Sequence, residues 1–317
     1  MTARMIMKLD VAERVDDATD VILVSLRHPR RPELPAWKAG AHIDVHLPDG
    51  RIRQYSLCGD PADRTRYRIA VKRETAGRGG SAWIHETLAV GDAVHCSAPR
   101  NNFALAPQAR RHLFIAGGIG VTPLAALAYE ALQRGDAFEL HLRARSRRHA
   151  PLLAELERAF AGHLHLHLND EAPASLDDIL ARFGVTADAH LYFCGPAGLN
   201  AAIAAAAERQ SWAAERCHTE AFQPTLDENF KPEPFDIMIA STGQTLRVPA
   251  DRSVLDILRG NGFVMPSSCE LGVCGACICG YRDGTVIHRD SVLSLADRQD
   301  KLAPCVSRAR VAVTLEL

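Results

Sequence analysis

Short stretches of alternating apolar and polar residues, separated by turns, run from the N-terminus to about Pro107. Residues 42–47 show this alternation, and a Pro-Asp-Gly turn at 48–50 leads into the next stretch. The pattern predicts five strands, at 21–26, 42–47, 51–57, 67–72 and 93–98. Closely spaced short strands are typical of an antiparallel β-barrel, and residues 1–107 are therefore predicted to form one.

The pattern changes at about Arg110, where short apolar strands begin to alternate with helices rich in alanine and leucine. It predicts strands at 113–116, 138–142, 163–168 and 191–193. It predicts helices at 123–134, 151–160 and 199–210. Alternation of strand and helix is the pattern of a parallel, doubly wound sheet, so residues 108–222 are predicted to form an α/β domain.

The last part of the chain follows a segment rich in proline and charge, residues 223–233, which is predicted to be a linker. Residues 234–317 carry two predicted strands, 236–240 and 244–248, with a Thr-Gly turn between them. A predicted helix at 253–259 precedes a loop that contains several cysteines. This layout is that of a small β-grasp-like domain.

Composition restricts the class of protein. The 317 residues are 47% hydrophobic and 24% charged with a net charge of −1, which favours neither nucleic acid nor an anionic membrane as a partner. The start of the chain lacks the apolar run of a secretory signal, and no apolar stretch of about 18 residues follows. Nine cysteines, an odd number, argue against a disulfide framework. We therefore expect a cytoplasmic protein.

Four cysteines of the last domain have the spacing of iron–sulfur ligands. Cys269, Cys274 and Cys277 are spaced C-x4-C-x2-C, and Cys305 follows at a distance, as in plant-type [2Fe–2S] ligation. Small residues between the first three cysteines let the loop wrap closely. The main alternative is a structural zinc site, but zinc ribbons usually carry two C-x-x-C pairs and only one is present here. Four ordinary buried cysteines are the second alternative.

Two motifs in the predicted barrel suit a flavin. The run Arg53-Gln54-Tyr55-Ser56 offers a guanidinium for a phosphate, a phenol ring to cover the flavin and a hydroxyl for its edge. The run Gly79-Gly80-Ser81 precedes a predicted helix at 82–86, and the free amides of such a turn bind anions. Alone, the first can be an ordinary strand and the second a solvent-exposed turn. Together they favour a flavin phosphate pocket.

Two further motifs end predicted parallel strands, where α/β folds bind ligands. Gly117, Gly118 and Gly120 allow close approach of a pyrophosphate, Thr122 suits a helix N-cap, and Pro123 suits the first helical turn. The alternative is a plain turn between strand and helix. The run Cys194-Gly195-Pro196 ends a later strand, and Cys194 can alternatively be a buried thiol at a turn.

The order and spacing of these motifs resemble one family over the whole chain. It is the phthalate dioxygenase reductase type of ferredoxin–NADP⁺ reductase-like flavoprotein, which includes the reductase components of vanillate O-demethylase systems. The resemblance implies FMN on an antiparallel β-barrel flavin domain, NADH on a doubly wound α/β nucleotide-binding domain, and a [2Fe–2S] cluster on a C-terminal β-grasp ferredoxin domain.

The resemblance also implies roles for residues of the barrel. In such proteins the position of Tyr55 flanks the isoalloxazine ring, and Ser56 lies near its reactive N5 edge. The run Ala70-Val71-Lys72 follows the ring and the ribityl chain. The phosphate is expected at Arg53 and at Gly79, Gly80 and Ser81.

For the α/β domain, the resemblance implies that Thr122 lies between the flavin and nicotinamide sites and Cys194 near the nicotinamide. Ser56, Thr122 and Cys194 are therefore the expected catalytic residues. Phe222 is expected near the other flavin face, with a core aromatic as the alternative.

The basic run after the second α/β strand bears on the choice of nucleotide. Arg143, Arg145, Ser146, Arg147 and Arg148 stand there, and the acid that binds a ribose 2′-hydroxyl is absent. Such a cluster could accept a 2′-phosphate or be a solvated loop. The family resemblance favours NADH, with Arg145 and Ser146 as candidate nucleotide contacts.

The function expected from the resemblance is an NADH-dependent reductase that passes electrons through FMN and the cluster to the Rieske centre of a terminal oxygenase. A reductase for another acceptor, such as a cytochrome P450, is one alternative. A non-enzymatic electron carrier, whose barrel and sheet serve only for docking, is another. The substrate of the oxygenase is not encoded in this chain.

Overall fold

The computed structural model describes residues 5–75, 79–171, 173–222, 230–293 and 296–317. The chain divides into two compact units, Met1–Glu220 and Ala221–Leu317. The first unit contains one antiparallel and one parallel sheet, and the second contains a smaller mixed sheet. The predicted multi-domain fold is confirmed.

Seven strands form the antiparallel sheet of the first unit. They are β1 (Ile6–Ala18), β2 (Val21–Arg27), β3 (Ala41–His46), β4 (Ile52–Ser56), β5 (Tyr67–Lys72), β6 (Ala93–Ser97) and β7 (Arg100–Asn101). Their order is β4-β3-β6-β1-β2-β5, and β7 pairs with β3. The two ends of the sheet meet where Leu57, directly after β4, pairs with Ile69 of β5. This pairing closes the sheet as the predicted barrel, and helix α1 (Gly80–Thr87) lies between β5 and β6 in the chain.

Five parallel strands form the second sheet of this unit. They are β8 (Arg111–Gly117), β9 (Ala137–Ala144), β10 (Leu164–Leu168), β11 (Ala189–Cys194) and β12 (Cys217–Glu220), in the order β10-β9-β8-β11-β12. The chain order reverses between β8 and β11. In open α/β sheets, such a switch point at the carboxyl ends of the strands is where ligands bind.

Helices cover both faces of the parallel sheet. They are α2 (Val121–Arg134), α3 (Leu153–Ala159), α4 (Leu176–Phe183) and α5 (Ala197–Arg209). Alternate residues of β8 enter different cores: Phe114 packs with α2 and α3, whereas Leu113 packs with α4 and α5. The predicted doubly wound arrangement is therefore confirmed.

Helix α3 is shorter than the predicted 151–160 because of a contact with the barrel. Leu152 has a left-handed backbone (φ 60°), and its N–H donates to Asp17 Oδ2 at 2.7 Å. Helix α2 ends as expected for its sequence, since Gly135 takes the left-handed conformation (φ 69°) that glycine adopts without steric cost.

The second unit is a small mixed sheet with one helix. Its elements are β13 (Phe235–Ile239), β14 (Thr245–Val248), α6 (Val254–Gly260), β15 (Cys279–Ile287), β16 (Lys301–Leu302) and β17 (Arg308–Leu315). The strand order is β14-β13-β17-β15-β16, with β13 and β17 parallel. Helix α6 begins with a capping box between Ser253 and Asp256. The buried residues of α6 share one hydrophobic core with β13. The predicted β-grasp-like layout is confirmed.

The predicted limit at 107/108 and the predicted linker at 223–233 fall at the following places in the structure. The limit at 107/108 lies between β7 and β8, inside one compact unit. Of the predicted linker, residues 223–229 lie outside the described residues, and residues 230–233 are in neither helix nor strand.

Candidate functional site

The predicted phosphate-binding groups of the barrel lie together. The Arg53 side chain lies against the start of α1. A methyl group added at Gly80 would lie only 2.6 Å from Arg53 Cγ. Gly79 has a left-handed backbone (φ 75°), and an added methyl there would lie 2.6 Å from Nη1 of Arg51. Glycine at both positions therefore lets two guanidinium side chains approach the first turn of the helix, whose amides have no carbonyl partner within the helix.

The other predicted flavin contacts lie on strands β4 and β5. Tyr55 and Ser56 end β4, and Val71 lies on β5, which pairs with the residue after β4. His85 Nε2 of α1 lies 2.8 Å from the Val71 carbonyl oxygen, so α1 is tied to β5. Gln54 Nε2 is buried, and no partner for it is found among the described residues. A donor buried without a partner fits a site that receives a polar ligand such as a flavin.

The Ser81 hydroxyl has a backbone partner, and its contact with a flavin phosphate stays a prediction. It accepts a hydrogen bond from the Glu74 N–H at 3.0 Å, which ties the first turn of α1 to a residue just after β5. The Ala70-Val71-Lys72 run is part of β5, and Lys72 is exposed and paired with Glu74. Contact of these three residues with a ribityl chain stays a prediction.

The two loops at the switch point of the parallel sheet touch each other. A methyl group at Gly120 would overlap the Cys194 carbonyl and lie 2.8 Å from the Gly195 nitrogen. A methyl group at Gly117 would lie 2.9 Å from Pro196 Cδ. Both glycines are therefore required by the close approach of the two predicted nucleotide-binding motifs.

Thr122 does not cap helix α2, which corrects one expectation. Gly120 occupies the N-cap, and Thr122 lies inside the first turn, where its hydroxyl donates to the Ile119 carbonyl at 3.0 Å. Pro123 stands in the first turn as expected. Gly118 supplies the left-handed backbone (φ 51°) of the loop.

A residue not selected from the sequence, Glu220, joins the barrel to this sheet edge. Glu220 lies opposite Cys194 in the β11–β12 pair, and Ser56 Oγ donates to Glu220 Oε2 at 3.2 Å. The end of barrel strand β4 thus meets the carboxyl ends of two parallel strands. The signal that could have found Glu220 is its position, an acidic residue ending a strand at the ligand-binding edge of the sheet.

Burial raises the pKa values of both Glu220 and Cys194. Desolvation raises the pKa of Glu220 to about 7, although the hydrogen bond from Ser56 opposes the shift. Desolvation, followed by the charge of Glu220, raises the pKa of Cys194 well above its usual range. Cys194 is therefore a neutral thiol near pH 7, and Glu220 is the group of this set that exchanges a proton there.

The remaining predicted nucleotide contacts lie at the neighbouring strand end. Arg145 follows β9 and is exposed, and Ser146 Oγ lies 2.8 Å from His149 Nδ1. Phe222 belongs to the second unit and is 36% exposed. Its stacking on a flavin stays a prediction.

Three of the four predicted cluster ligands lie in the second unit on a loop shaped by glycine, and Cys305 lies between β16 and β17. Gly272 and Gly275 have left-handed backbones (φ 75° and 70°), and a methyl group at Gly272 would lie 2.6 Å from Val306 Cγ2. The Cys269 sulfur accepts the Leu271 amide at 3.3 Å. A hydrogen bond from the Cys274 thiol, together with backbone amides such as that of Leu271, lowers the pKa of Cys269 to about 6. These contacts favour the thiolate of Cys269, the form that binds iron.

The cysteine sulfurs form two pairs. Cys277 Sγ and Cys305 Sγ are 3.3 Å apart, and Cys269 is hydrogen-bonded to Cys274. In the described part of the chain, no three cysteine sulfurs lie within 4.8 Å of one another. A single tetrahedral zinc would hold all four sulfurs about 3.8 Å apart. Two pairs fit the two irons of a [2Fe–2S] cluster better than one zinc.

Comparison with known proteins agrees with this geometry. Residues 237–310 match the model of the 2Fe-2S iron-sulfur cluster binding domain. Over 299 residues, the chain is 40% identical to a vanillate O-demethylase oxidoreductase of Pseudomonas sp. strain HR199, covering 93% of this chain and 94% of the relative. The chain belongs to the phthalate dioxygenase reductase-like family. The predicted family and the predicted oxidoreductase class are confirmed.

Two solved structures extend the comparison. Phthalate dioxygenase reductase, a modular structure for electron transfer from pyridine nucleotides to [2Fe–2S], is 32% identical with a TM-score of 0.75 and 98% of both chains covered. An intact type IV self-sufficient cytochrome P450 monooxygenase is 38% identical with a TM-score of 0.87, and the match covers 98% of this chain and 41% of that one. The chain is thus a flavin and iron–sulfur reductase that uses a pyridine nucleotide.

Within the described ranges, none of the helices combines the length and the apolar character that crossing a bilayer requires.

Proposed function

We propose that the chain is the reductase component of an oxygenase system, which takes a hydride from NADH onto FMN and delivers single electrons through a [2Fe–2S] cluster to a Rieske centre. The observation that carries the proposal is the meeting of Ser56, Cys194 and Glu220 at the switch point. One barrel residue and two sheet residues converge there, on a chain that also carries paired cluster cysteines. A bound flavin supplies the exchange between hydride and single-electron transfer.

The chain's own residues orient the reactants. Arg53 and the first turn of α1 would hold the flavin phosphate, and the Ser56 hydroxyl would hydrogen-bond the flavin. Thr122 and Cys194 would flank the nicotinamide; both are buried and uncharged, so they would exclude water from the site of hydride transfer. Glu220 fixes the Ser56 hydroxyl. FMN, rather than FAD, is proposed because the C-terminal iron–sulfur domain resembles the FMN-binding branch of the family.

NADH is proposed over NADPH because two of the arginines near β9 already have partners. Arg143 Nη1 donates to the Ala174 carbonyl at 3.0 Å, and Arg147 pairs with Glu157. Only part of the basic run is then available to a 2′-phosphate. The ratio of kcat/KM for NADH and NADPH tests this choice, and a preference for NADPH would contradict it.

A Rieske oxygenase is proposed as the acceptor. A Rieske potential typically lies well above the roughly −400 mV of plant-type clusters, so the transfer runs downhill. A cytochrome P450 is the second candidate, favoured by the match to 41% of the chain of a self-sufficient P450 monooxygenase. None of the nine cysteines, all of them within the described ranges, forms a disulfide, which supports a reducing, cytoplasmic location.

The test mixes the full-length holoprotein and NADH anaerobically with a Rieske oxygenase or with a P450. The released flavin is first identified by chromatography. Rapid NADH-dependent loss of the Rieske absorbance, with slow reduction of the P450 haem, is the expected result. Faster haem reduction would assign the second acceptor, and cluster absorbance without flavin bands would indicate a simple electron carrier.

A further inference from the structure

A cluster of histidines and one glutamate occupies two strands at one edge of the parallel sheet. Glu139 and His141 lie on β9, and His165 and His167 lie on the edge strand β10. His141 pairs directly with His165 in the strand register. Because side chains alternate along a strand, all four project from the same face of the sheet, opposite to the leucines that enter the core.

Three of these side chains present ligand atoms to a common point. Glu139 Oε2 lies 2.9 Å from His141 Nε2 and 3.7 Å from His165 Nε2, and the three ligand atoms all lie within 4.8 Å of one another. Ligand atoms around a tetrahedral zinc are about 3.4 Å apart, from metal–ligand distances near 2.0–2.1 Å. Small side-chain movements therefore complete three corners of a tetrahedron.

We propose that Glu139, His141 and His165 form a binding site for a divalent transition-metal ion of the Zn²⁺ type, which ties the edge strand β10 to β9. Two imidazoles and one carboxylate suit Zn²⁺, Ni²⁺ or Cu²⁺, whereas Mg²⁺ and Ca²⁺ prefer oxygen ligands. The site lies on other residues than the cluster cysteines and the switch-point loops.

His167 supports the proposed ligand from behind. Its Nε2 lies 2.8 Å from His141 Nδ1, the ring nitrogen that faces away from Glu139. With Nε2 of His141 on the metal, the Nδ1–H donates to His167, and such a bond fixes the tautomer and orientation of a ligand histidine.

Arg182 of α4 opposes the metal. Its Nη2 lies 3.7 Å from Glu139 Oε2, where it competes with a cation for the carboxylate. The Arg182 side chain is 57% exposed, so it can swing into solvent when a metal binds. Removing this positive charge should therefore strengthen metal binding, whereas the same change would only weaken a purely structural ion pair.

The experiment is titration of the full-length holoprotein with ZnCl₂ by isothermal calorimetry, with cluster absorbance monitored to show that iron is retained. One site per chain is expected. Glu139→Gln and His165→Asn should each weaken Zn²⁺ binding by at least about tenfold, since loss of even a supporting partner costs about 10–100-fold. Arg182→Gln should tighten binding. His95→Asn, an exposed histidine on β6, is the matched control and should bind like the parent.

Thermal unfolding gives an independent measurement. Zn²⁺ should raise the melting temperature of the parent and of His95→Asn, because a ligand that binds the folded state stabilises it. It should not do so for His165→Asn. Absence of a binding heat in the parent, or equal affinity in His165→Asn and His95→Asn, would overturn the proposal. Weaker binding in Arg182→Gln would do the same.

Discussion

At the scale of single residues, Glu220 couples the barrel to the sheet through its hydrogen bond with Ser56. Its pKa rises from 4.5 to about 7 in the folded protein. Between these values the folded protein keeps a proton that the unfolded chain releases, so Glu220 makes stability fall as pH rises through this window. Above about pH 7 the loss is complete. Glu220→Gln should remove this part of the pH dependence, measured as unfolding free energies at pH 5 and pH 8.

The same ionisation should affect flavin reduction. A carboxylate beside Ser56 places negative charge near the group that accepts the hydride, so reduction by NADH should slow as pH rises through about 7. Stopped-flow traces should show this transition in the parent and in the exposed control Glu215→Gln, and no transition in Glu220→Gln. A transition that persists in Glu220→Gln would assign it to another group.

Arg53 carries a second prediction at this scale. Arg53→Ala removes a charge-assisted contact to the flavin phosphate and should weaken flavin binding by about 1.5–3 kcal/mol. The dissociation constant follows from fluorescence titration of the flavin-free protein. Arg66→Ala, an exposed arginine paired with Asp63, is the control. Equal flavin affinity in both variants would exclude Arg53 from the phosphate site.

Local motifs located the glycines at 117 and 120 but not their structural role. The close approach of a pyrophosphate to them stays a prediction, whereas the structure shows that both glycines are needed for the contact with the Cys194 loop. Glu220 was not selected because its partner Ser56 is 164 residues away, and no local pattern records such a contact. The N-cap was assigned wrongly to Thr122 because a short 3₁₀ turn at Gly118–Gly120 leads directly into α2.

At the scale of elements, the contact between the two switch-point loops depends on Gly120. Gly120→Ala would push a methyl group into the Cys194 carbonyl, and overpacking of this kind costs about 1–3 kcal/mol of unfolding free energy. Gly198, in the first turn of α5, has no atom within 4 Å of the added methyl. Gly198→Ala should therefore be stabilising by about 0.5–1 kcal/mol. Urea unfolding separates the two, and equal effects would show that the loops are not in tight contact.

The cysteine loop gives a further prediction for an element. Cys305→Ser should abolish the cluster, because it removes one sulfur of the Cys277–Cys305 pair. Reduction of the flavin by NADH should persist. Cys279→Ser is the control, since Cys279 is buried at the start of β15 and falls outside the ligand spacing. Loss of the cluster in Cys279→Ser but not in Cys305→Ser, or stoichiometric zinc without iron in the parent, would refute the ligand assignment.

Elements with regular periodicity were predictable, and irregular ones were not. Strand β1 was missed because register shifts at Val11/Glu13 and Asp16/Ala18 interrupt its alternation. Helix α4 was missed because its eight residues give little more than two turns of periodicity, although Ser175 caps it through the Asp178 amide. Tertiary contacts stabilise both β1 and α4, and the local sequence pattern does not reveal such contacts.

At the scale of the whole molecule, the barrel and the parallel sheet form one unit through specific contacts. Arg68 of β5 pairs with Glu155 of α3 at 2.6 Å, and Glu155 also accepts from the Tyr129 hydroxyl. Tyr192 of β11 accepts from the Ala106 N–H at 2.8 Å. The change of pattern near Arg110 marks a change of sheet, but these contacts between distant residues make the two sheets one compact body.

The second unit has its own core, built on Phe235, Ile237 and Leu258, and the first unit keeps its cores without it. A chain that ends at Phe222 should therefore fold and bind flavin. It should reduce ferricyanide with NADH at a rate close to that of the parent, because the Ser56–Glu220 contact and the switch-point loops are all retained.

The truncated chain should fail to reduce the Rieske oxygenase, since the cysteines of the second unit are the proposed exit for single electrons. The measurement follows the Rieske absorbance after mixing with NADH, with full-length Cys305→Ser as the matched control. That variant keeps both units and lacks only the cluster, so equal failure of the two proteins would trace the loss to the cluster rather than to the missing surface. Rieske reduction at the parent's rate by either protein would show that electrons bypass the cluster.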